Sequence, residues 1–538
     1  MRFSIPLAAA ALVSVSVAQN VSHPPPATPA NHLTQFVTGL DIEANMGGLT
    51  ALAESNQTVV SMTTTACNPG SVEGTWEANP ATNHPLICQM YCRLSNNRFE
   101  QINDYSYGKH SFGSTNSNGC GGGCGGAAFN RLGLNCSDTY GSTLNWSRND
   151  LGPLTEWNSW TGEFTFFGSH VDTGYPQTSP DGASSAINPN NQRQFRCRIL
   201  NNKIGTAGAT YYAMAYYMHK WEPEANRENN MASKQISLSV GSASAISAQL
   251  HGNILEDRYT GARVESATNE VGGTTYDGRF YVGVHVADNG DGTWRYEYAV
   301  HNRDNHAGNV RFVVPCGSTA TVTNIGTKDV NLNGWDASDN WTGEHIGNCI
   351  VFDPGPGAPP QGWNTIYNFW FDCDAGPTDG TVEIFGDPSR LNPGAGVSVV
   401  VASDVPNVAP GAANEDLGEG CGLTLSVTDA ASPGATVNLN VSGALPNAAA
   451  ATHLAFSDVN SFGLVPPFGP VGCTMVSPSL TLGLSIGGSG SGTGTLSVPN
   501  TTGMIGVQFH VQAAALAVGG PVLGLAEISN RYRIPVCP

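Results

Sequence analysis

Residues 279–302 read RFYVGVHVADNGDGTWRYEYAVHN. Val282, Val284 and Val286 alternate with other residues, and Trp294, Tyr296, Tyr298 and Val300 do the same after an Asp/Asn/Gly turn. An apolar period of two is what a strand buried on one face requires. Pairing residue 286 with 294 leaves Asp288–Gly292 as the loop and puts both apolar sets on one face. The opposite face then carries His285, Arg295, Glu297 and His301, with His285 across from Arg295 and diagonal to Glu297. That arrangement suits a solvent-facing cross-strand charge pair. VRFVVP, STATVTNI, TIYNFWFD, GTVEIF and GVSVVVA continue as short strands, and their regular spacing predicts an immunoglobulin-like sandwich.

Composition extends that expectation to the whole chain. Charged residues make up 12% of its 538 residues, about half the roughly 25% of a typical soluble protein. With 65 glycines and 33 prolines, short strands joined by turns are favoured over long amphipathic helices. Two stretches, around 89–103 and 221–234, are exceptions with helical character. The formal charge of −19 argues against nucleic acid and anionic membranes as partners, because both select basic surfaces.

The expected fold is mainly β. Residues 1–18, MRFSIPLAAAALVSVSVA, have the charge, apolar run and small residues of a secretory signal. A Pro-rich leader (19–35) follows. Next come a disulfide-containing, loop-rich β domain (36–205), a central immunoglobulin-like β-sandwich (206–402), a linker (403–420) and a C-terminal β-sandwich (421–538). Residues 155–167, TEWNSWTGEFTFF, supply aromatics for core packing or for a sugar-stacking platform. No later apolar run reaches the roughly 20 residues of a spanning helix. The expected location is therefore secreted, extracellular or cell-surface.

Thirteen cysteines in an exported chain read first as disulfides, and the odd number leaves at least one without an intrachain partner. Cys421 and Cys537 stand at the two ends of the last domain, where a bridge would close it, with Cys473 as the competing partner. Cys88 and Cys92 are four apart, as are Cys120 and Cys124. On a helix such pairs lie roughly 5–6 Å apart and can share a metal. On a strand they are about 13 Å apart and cannot bond each other. Two bridges from 88 or 92 to 120 or 124 are the simpler outcome, and a four-thiolate zinc site is the alternative. The glycines of CGGGC would let the backbone turn sharply between neighbouring bridges.

The same region, QMYCRLSNNRFEQINDYSYGKHSFGSTNSNGCGGGC (89–124), concentrates charge in a charge-poor chain. His84, Arg98, Glu100, Lys109, His110 and Asp138 are the candidates for acid–base chemistry or for a His/carboxylate metal site, if they converge. An ion-pair network accounts for Arg98, Glu100 and Lys109 equally well. DVNLNGWDASDN (329–340) opens like a calcium loop, with Asp329, Asn331 and Asn333 at the first, third and fifth positions. Its twelfth position is Asn340 rather than a bidentate Glu. A structural calcium and a transition metal are thus the two cofactors to consider. Gly483–Gly487 spells G-x-S-x-G but lacks the strand–turn–helix setting of a nucleophile elbow.

NHPLICQMYCRLSNNRFEQI with KHSF and LGLNCSDTY, WRYEYAVHNRD with RFVVP, and the ending SNRYRIPVC together resemble a family of large secreted bacterial β-rich proteins. The resemblance spans roughly 60–380 and is weaker in the last domain. It implies an exported multi-domain β-protein and no particular reaction. The extra Cys88 and Cys92 depart from it. The readings that follow are a binding or structural protein, with extracellular polysaccharide or cell-surface components as partners, or an extracellular metal-dependent enzyme. The enzyme's site would lie in the Cys/His-rich domain, with the last domain as an accessory module.

Overall fold

The computed structural model describes residues 35–103, 107–147, 150–167, 169, 171, 196–274, 277–330, 340–355, 358–408, 414–418, 420–455, 462–463, 474–475, 480–499, 504, 507–523 and 525–537. Strand accounts for 52% and helix for 5%, so the mainly-β expectation holds. From residue 40 to 406 the described strands form four larger antiparallel sheets stacked face to face, besides two two-stranded ones, and these four layers share three cores.

The first layer pairs β1 (Glu43–Glu54) with β2 (Gln57–Cys67), flanked by Cys197–Leu200 and Ser137–Tyr140. The second is built on β3 (Leu86–Ser95), with β4 (Arg98–Gln101) and β5 (Gly108–His110) along one side. Along its other side run β6 (Thr210–Met218) and then β7 (Met231–Ser239). Ile87, Tyr91, Ala213, Ala215 and Tyr217 face the first layer. Cys88, Met90, Cys92, Met214 and Tyr216 face the other way. Both strands are therefore buried on both faces, and their apolar runs are nearly continuous.

That double burial is why 89–103 is not helical. Asn96 and Asn97 take the left-handed conformation (φ 49° and 63°), and the chain reverses between Ser95 and Arg98 as a two-residue hairpin. Around 221–234 there is only a 3-10 turn, Glu224–Asn226, before β7 begins. The strand series counted from 206 also begins by completing the N-terminal sheet: β6, β7, Ser242–Ala245 and Leu250–His251 all pair within the second layer.

The next strands are β8 (Arg279–Asp288), β9 (Trp294–Asn302), β10 (Arg311–Pro315), β11 (Cys349–Pro354) and β12 (Thr365–Cys373). The third layer runs Arg263–Thr268, β8, β9, β12, Val322–Lys328. The fourth runs Trp341–Ile346, β11, β10, Pro377–Phe385, Ser398–Pro406. Between them lie Val282, Val284, Tyr296, Tyr298, Val300, Phe312, Phe352 and Phe369, each contributing about 1.5–3 kcal/mol by burial. The β8–β9 hairpin forms with its register moved by two: Val286 faces Tyr296, and Asp288 faces Trp294. A shift of two keeps the apolar sets on one face. It places His285 across from Glu297 rather than Arg295.

The face carrying Glu297 and His301 is not solvent-facing. Tyr281, Ala299 and Ile366 pack on the second layer together with Met214 and Tyr216. Gly283 makes room there, because a Cβ at this position would sit 2.7 Å from the Tyr259 ring. Across this seam Asn368 Nδ2 donates to Phe99 O (2.8 Å), and Gln101 Oε1 accepts from Ile366 N (3.0 Å). Arg98 donates twice to the Glu297 carboxylate, at 2.8 and 2.9 Å. One end of the seam is a polar knot. Asp304 Oδ2 accepts from Arg227 Nη1 (2.8 Å) and Arg303 Nη2 (3.0 Å), and its Oδ1 accepts from Arg279 N (2.9 Å). Arg303 also pairs with Glu228 (2.8 Å) and Glu224.

The C-terminal unit has its own core around Leu425, Val437, Leu439, Val441 and Ile534, with β13 (Gln508–Leu516) central in its sheet. Cys537 bonds Cys349 at the start of β11, tying this unit to the fourth layer. Cys421 is disulfide-bonded, but not to Cys537, and the competing partner Cys473 lies outside the described residues. The closing bridge expected within the domain is thus replaced by one between domains.

Removing the Asp304 carboxylate leaves Arg227 and Arg303 buried beside each other. Asp304→Ala is expected to destabilise the fold by about 3–5 kcal/mol, read as a lower denaturation midpoint by intrinsic fluorescence. The exposed-face control Asp291→Ala should cost far less.

Candidate functional site

Of the six candidates for chemistry, the structure brings two together. His84 lies two residues before β3, and His110 is the last residue of β5. The register Leu86–His110 sets their rings side by side, and His84 Nε2 is 3.0 Å from His110 Nδ1. His84 Nδ1 donates to Glu77 O (2.9 Å), since a carbonyl only accepts. Its Nε2 therefore accepts from His110 Nδ1–H while the ring is neutral. Gly152 packs against the far side of His110: a Cβ there would lie 3.0 Å from His110 Nε2 and 3.5 Å from a Glu156 carboxylate oxygen.

The pair is fully buried. Trp157 and Phe164 stack on each other (4.4 Å between centroids) and lie 5.1 and 4.9 Å from the His110 ring. Burial holds His84 down at about 4; the Glu77 carbonyl works against that shift, and His219 and Lys220 add to it. A histidine so acidic is a weak proton acceptor at neutral pH, where a general base works best with a pKa near 7. Trp157, Trp160 and Phe164 are all buried and pack a core, whereas Phe167 at the end of the same stretch is exposed.

The other four candidates do not join them. Arg98 spans the seam to Glu297 and lies 3.6 Å over the Trp370 ring. Glu100 pairs with Arg93 and reaches Lys328 at 3.8 Å. Lys109 faces Asp150 at 3.5 Å, and burial pushes its amine down to about 8. Asp138 accepts from Trp76 Nε1 (3.1 Å) and Thr115 N (3.0 Å), and burial raises its carboxyl despite these donors.

Neither cysteine expectation survives as drawn. Cys120 bonds Cys67, and Cys124 bonds Cys136. Cys88 and Cys92 are buried thiols on one face of strand β3, too far apart to bond each other. Burial drives both of their pKa values well up, which is the reverse of what a thiolate metal ligand needs. The CGGGC glycines do turn sharply, with φ of 84–98° at Gly121, Gly122 and Gly123. Asp329 is buried, and its own carbonyl accepts from Lys328 Nζ at 3.4 Å; Asn331 and Asn333 lie outside the described residues. Among the described residues no three His, Cys, Asp or Glu side chains converge on a metal position.

The polar knot was missed in the sequence. His301, Asn302, Arg303, Asp304, Asn305 and His306 are buried in succession. Burial would raise the Asp304 carboxyl, but Arg303 and Arg227 hold it below the usual value. Burial pushes Glu222 up to about 8, against donors Asn230 and Ile42 N. It pushes Asp277 up to about 6. A usable signal existed, since HNRDNH is a dense polar run directly after an apolar strand. Elsewhere, a cleft of about 520 Å³ opens between the fourth layer and the C-terminal unit, lined by Glu344, His345, Asn414, Glu415, Gln508 and Arg533. Glu415 and Arg533 pair across its wall at 2.8 Å.

Compared with known proteins, the chain matches no family model and no curated sequence.

Burial also holds His301 down, to about 3, with Arg303 adding to the shift. His84 and His301 are thus neutral in the folded chain, while the unfolded chain titrates them near 6.5. Below that pH the unfolded state binds more protons, so stability present above 6.5 is lost as pH falls towards 4. Each histidine contributes a slope of about 1.4 kcal/mol per pH unit in that window. Denaturant midpoints from pH 7 to 4.5 should fall less steeply for His84→Phe than for the parent chain.

Proposed function

We propose that the chain is an exported binding or structural β-protein, with 1–18 as its export signal and an immunoglobulin-like central sandwich. Its partner would be an extracellular polysaccharide or another cell-surface component. The observation that supports this most directly is where charge is spent. Arg98, Arg227, Arg303, Glu297 and Asp304 join one sheet layer to the next, which makes a stiff multi-layer body. The disulfides fit an oxidising compartment, and the Cys349–Cys537 bridge holds the last domain against that body.

The cleft at that junction is the place for a hydroxyl-rich ligand. Glu344, Gln508 and Asn414 offer donors and acceptors on its walls, and ligand sites favour domain junctions. One arrangement favours an enzyme instead: the His84–His110 hydrogen bond with Glu156 beside it. A single set of variants separates the two readings. Sedimentation with insoluble polysaccharides should retain the parent chain, and Glu344→Ala with Gln508→Ala should weaken retention about tenfold, while His110→Phe leaves it unchanged. Polysaccharide turnover that is lost in a normally melting His110→Phe variant would overturn this reading.

A further inference from the structure

Two buried thiols stand apart from the other three. Cys316 directly follows β10 in the fourth layer, and Cys373 ends β12 in the third. Both sit in the core between those layers. The chain crosses from one sheet to the other in the short turn after Cys316, and hydrogen bonds pin that turn beside Cys373. Thr321 N donates to Asp374 Oδ1 (2.9 Å), Asp374 N donates to Thr321 O (3.2 Å), and Val322 pairs with Cys373 in the sheet. The two thiols also shift each other's titration, Cys316 upward and Cys373 downward. Cys88 and Cys92, by contrast, share one strand, and Cys197 donates to Gln89 O in a different core.

A cavity of about 270 Å³ lies against Cys316, walled by Pro315, Gly317, Asn348, Val405 and Asn407. Cys373 has no exposed surface, so a reagent entering this cavity meets Cys316 first.

We propose that Cys316 and Cys373 are oxidised to a disulfide that staples the third layer to the fourth, by exchange with a low-molecular-weight disulfide that enters through this cavity. The neighbouring Cys373 side chain and burial push the Cys316 thiol up, so only its small deprotonated fraction attacks one sulfur of the small disulfide, slowly, and one small thiolate leaves. The Cys373 thiolate then attacks Cys316 Sγ and expels the second. One sulfur–sulfur bond forms and one breaks. Two electrons pass to the reagent, and the two thiol protons go to solvent or to the departing thiolates. Pro315 faces Cys349 in the fourth layer, so the new bond lies next to the Cys349–Cys537 bridge. The third layer, the fourth layer and the C-terminal unit would then be joined covalently at one end of the molecule.

The test does not depend on where the protein resides. The full chain, refolded with its other bridges intact, is exposed to oxidised glutathione, alkylated after unfolding without reductant, and digested. A cross-linked Cys316–Cys373 peptide pair is expected, with the label confined to Cys88, Cys92 and Cys197. Alkylation of both Cys316 and Cys373, or a stable glutathione adduct on Cys316, would overturn the proposal. Thermal melting gives a second reading: the oxidised parent should melt several degrees above the Cys316→Ser/Cys373→Ser chain. Equal melting before and after oxidation would also contradict it.

Discussion

Asp304 is a carboxylate with no access to water, held between the guanidinium groups of Arg227 and Arg303. Desolvating three ionised groups is costly, and the pairing repays that cost only while all three keep their geometry. Arg227 comes from the loop before β7, in the second layer. Arg303 and Asp304 come from the turn after β9, in the third. The knot therefore exists only when the two halves are docked. Gly278 permits the fit, because a Cβ there would lie 2.4 Å from Asp304 O. Glu224 and Glu228 extend the knot to the seam's edge, and the Arg98–Glu297 pair repeats the device further along.

This dependence accounts for a chain so poor in charge having so many buried polar groups. The second and third sheets each carry apolar residues on both faces, and neither can be soluble alone. Apolar contact supplies the affinity between them but little orientation. Ion pairs and side-chain hydrogen bonds at fixed positions, such as Asn368 Nδ2 to Phe99 O and Ile366 N to Gln101 Oε1, fix the register of one sheet on the next. The residues that looked catalytic in the sequence are largely these fasteners.

The β8–β9 hairpin was legible because alternation and an Asp/Asn/Gly turn are local signals. Its register was not. Asp288 and Asp291 bond to Gly290 N and Thr293 N, closing the loop one residue later than the apolar pattern suggests. The helical reading of 89–103 failed because a doubly buried strand and a buried helix present similar apolar runs; the adjacent Asn96 and Asn97 were the better guide. Partners of Arg98, at position 297, and of Cys537, at position 349, could not be read from spacing, because each depends on how separate domains dock. His84 and His110 meet because the Leu86–His110 register follows from a short antiparallel return. Their burial under Trp157 and Phe164 depends on a distant loop and left no mark on either histidine's neighbours.

The central claim is that the second and third layers form one cooperative unit. Native-state hydrogen exchange, read on peptides from β3 and β6 and from β9 and β12, tests it directly. The account predicts that both pairs open together, with one free energy and one denaturant dependence. Exchange of β9 and β12 through a separate, less costly opening that leaves β3 and β6 protected would contradict it.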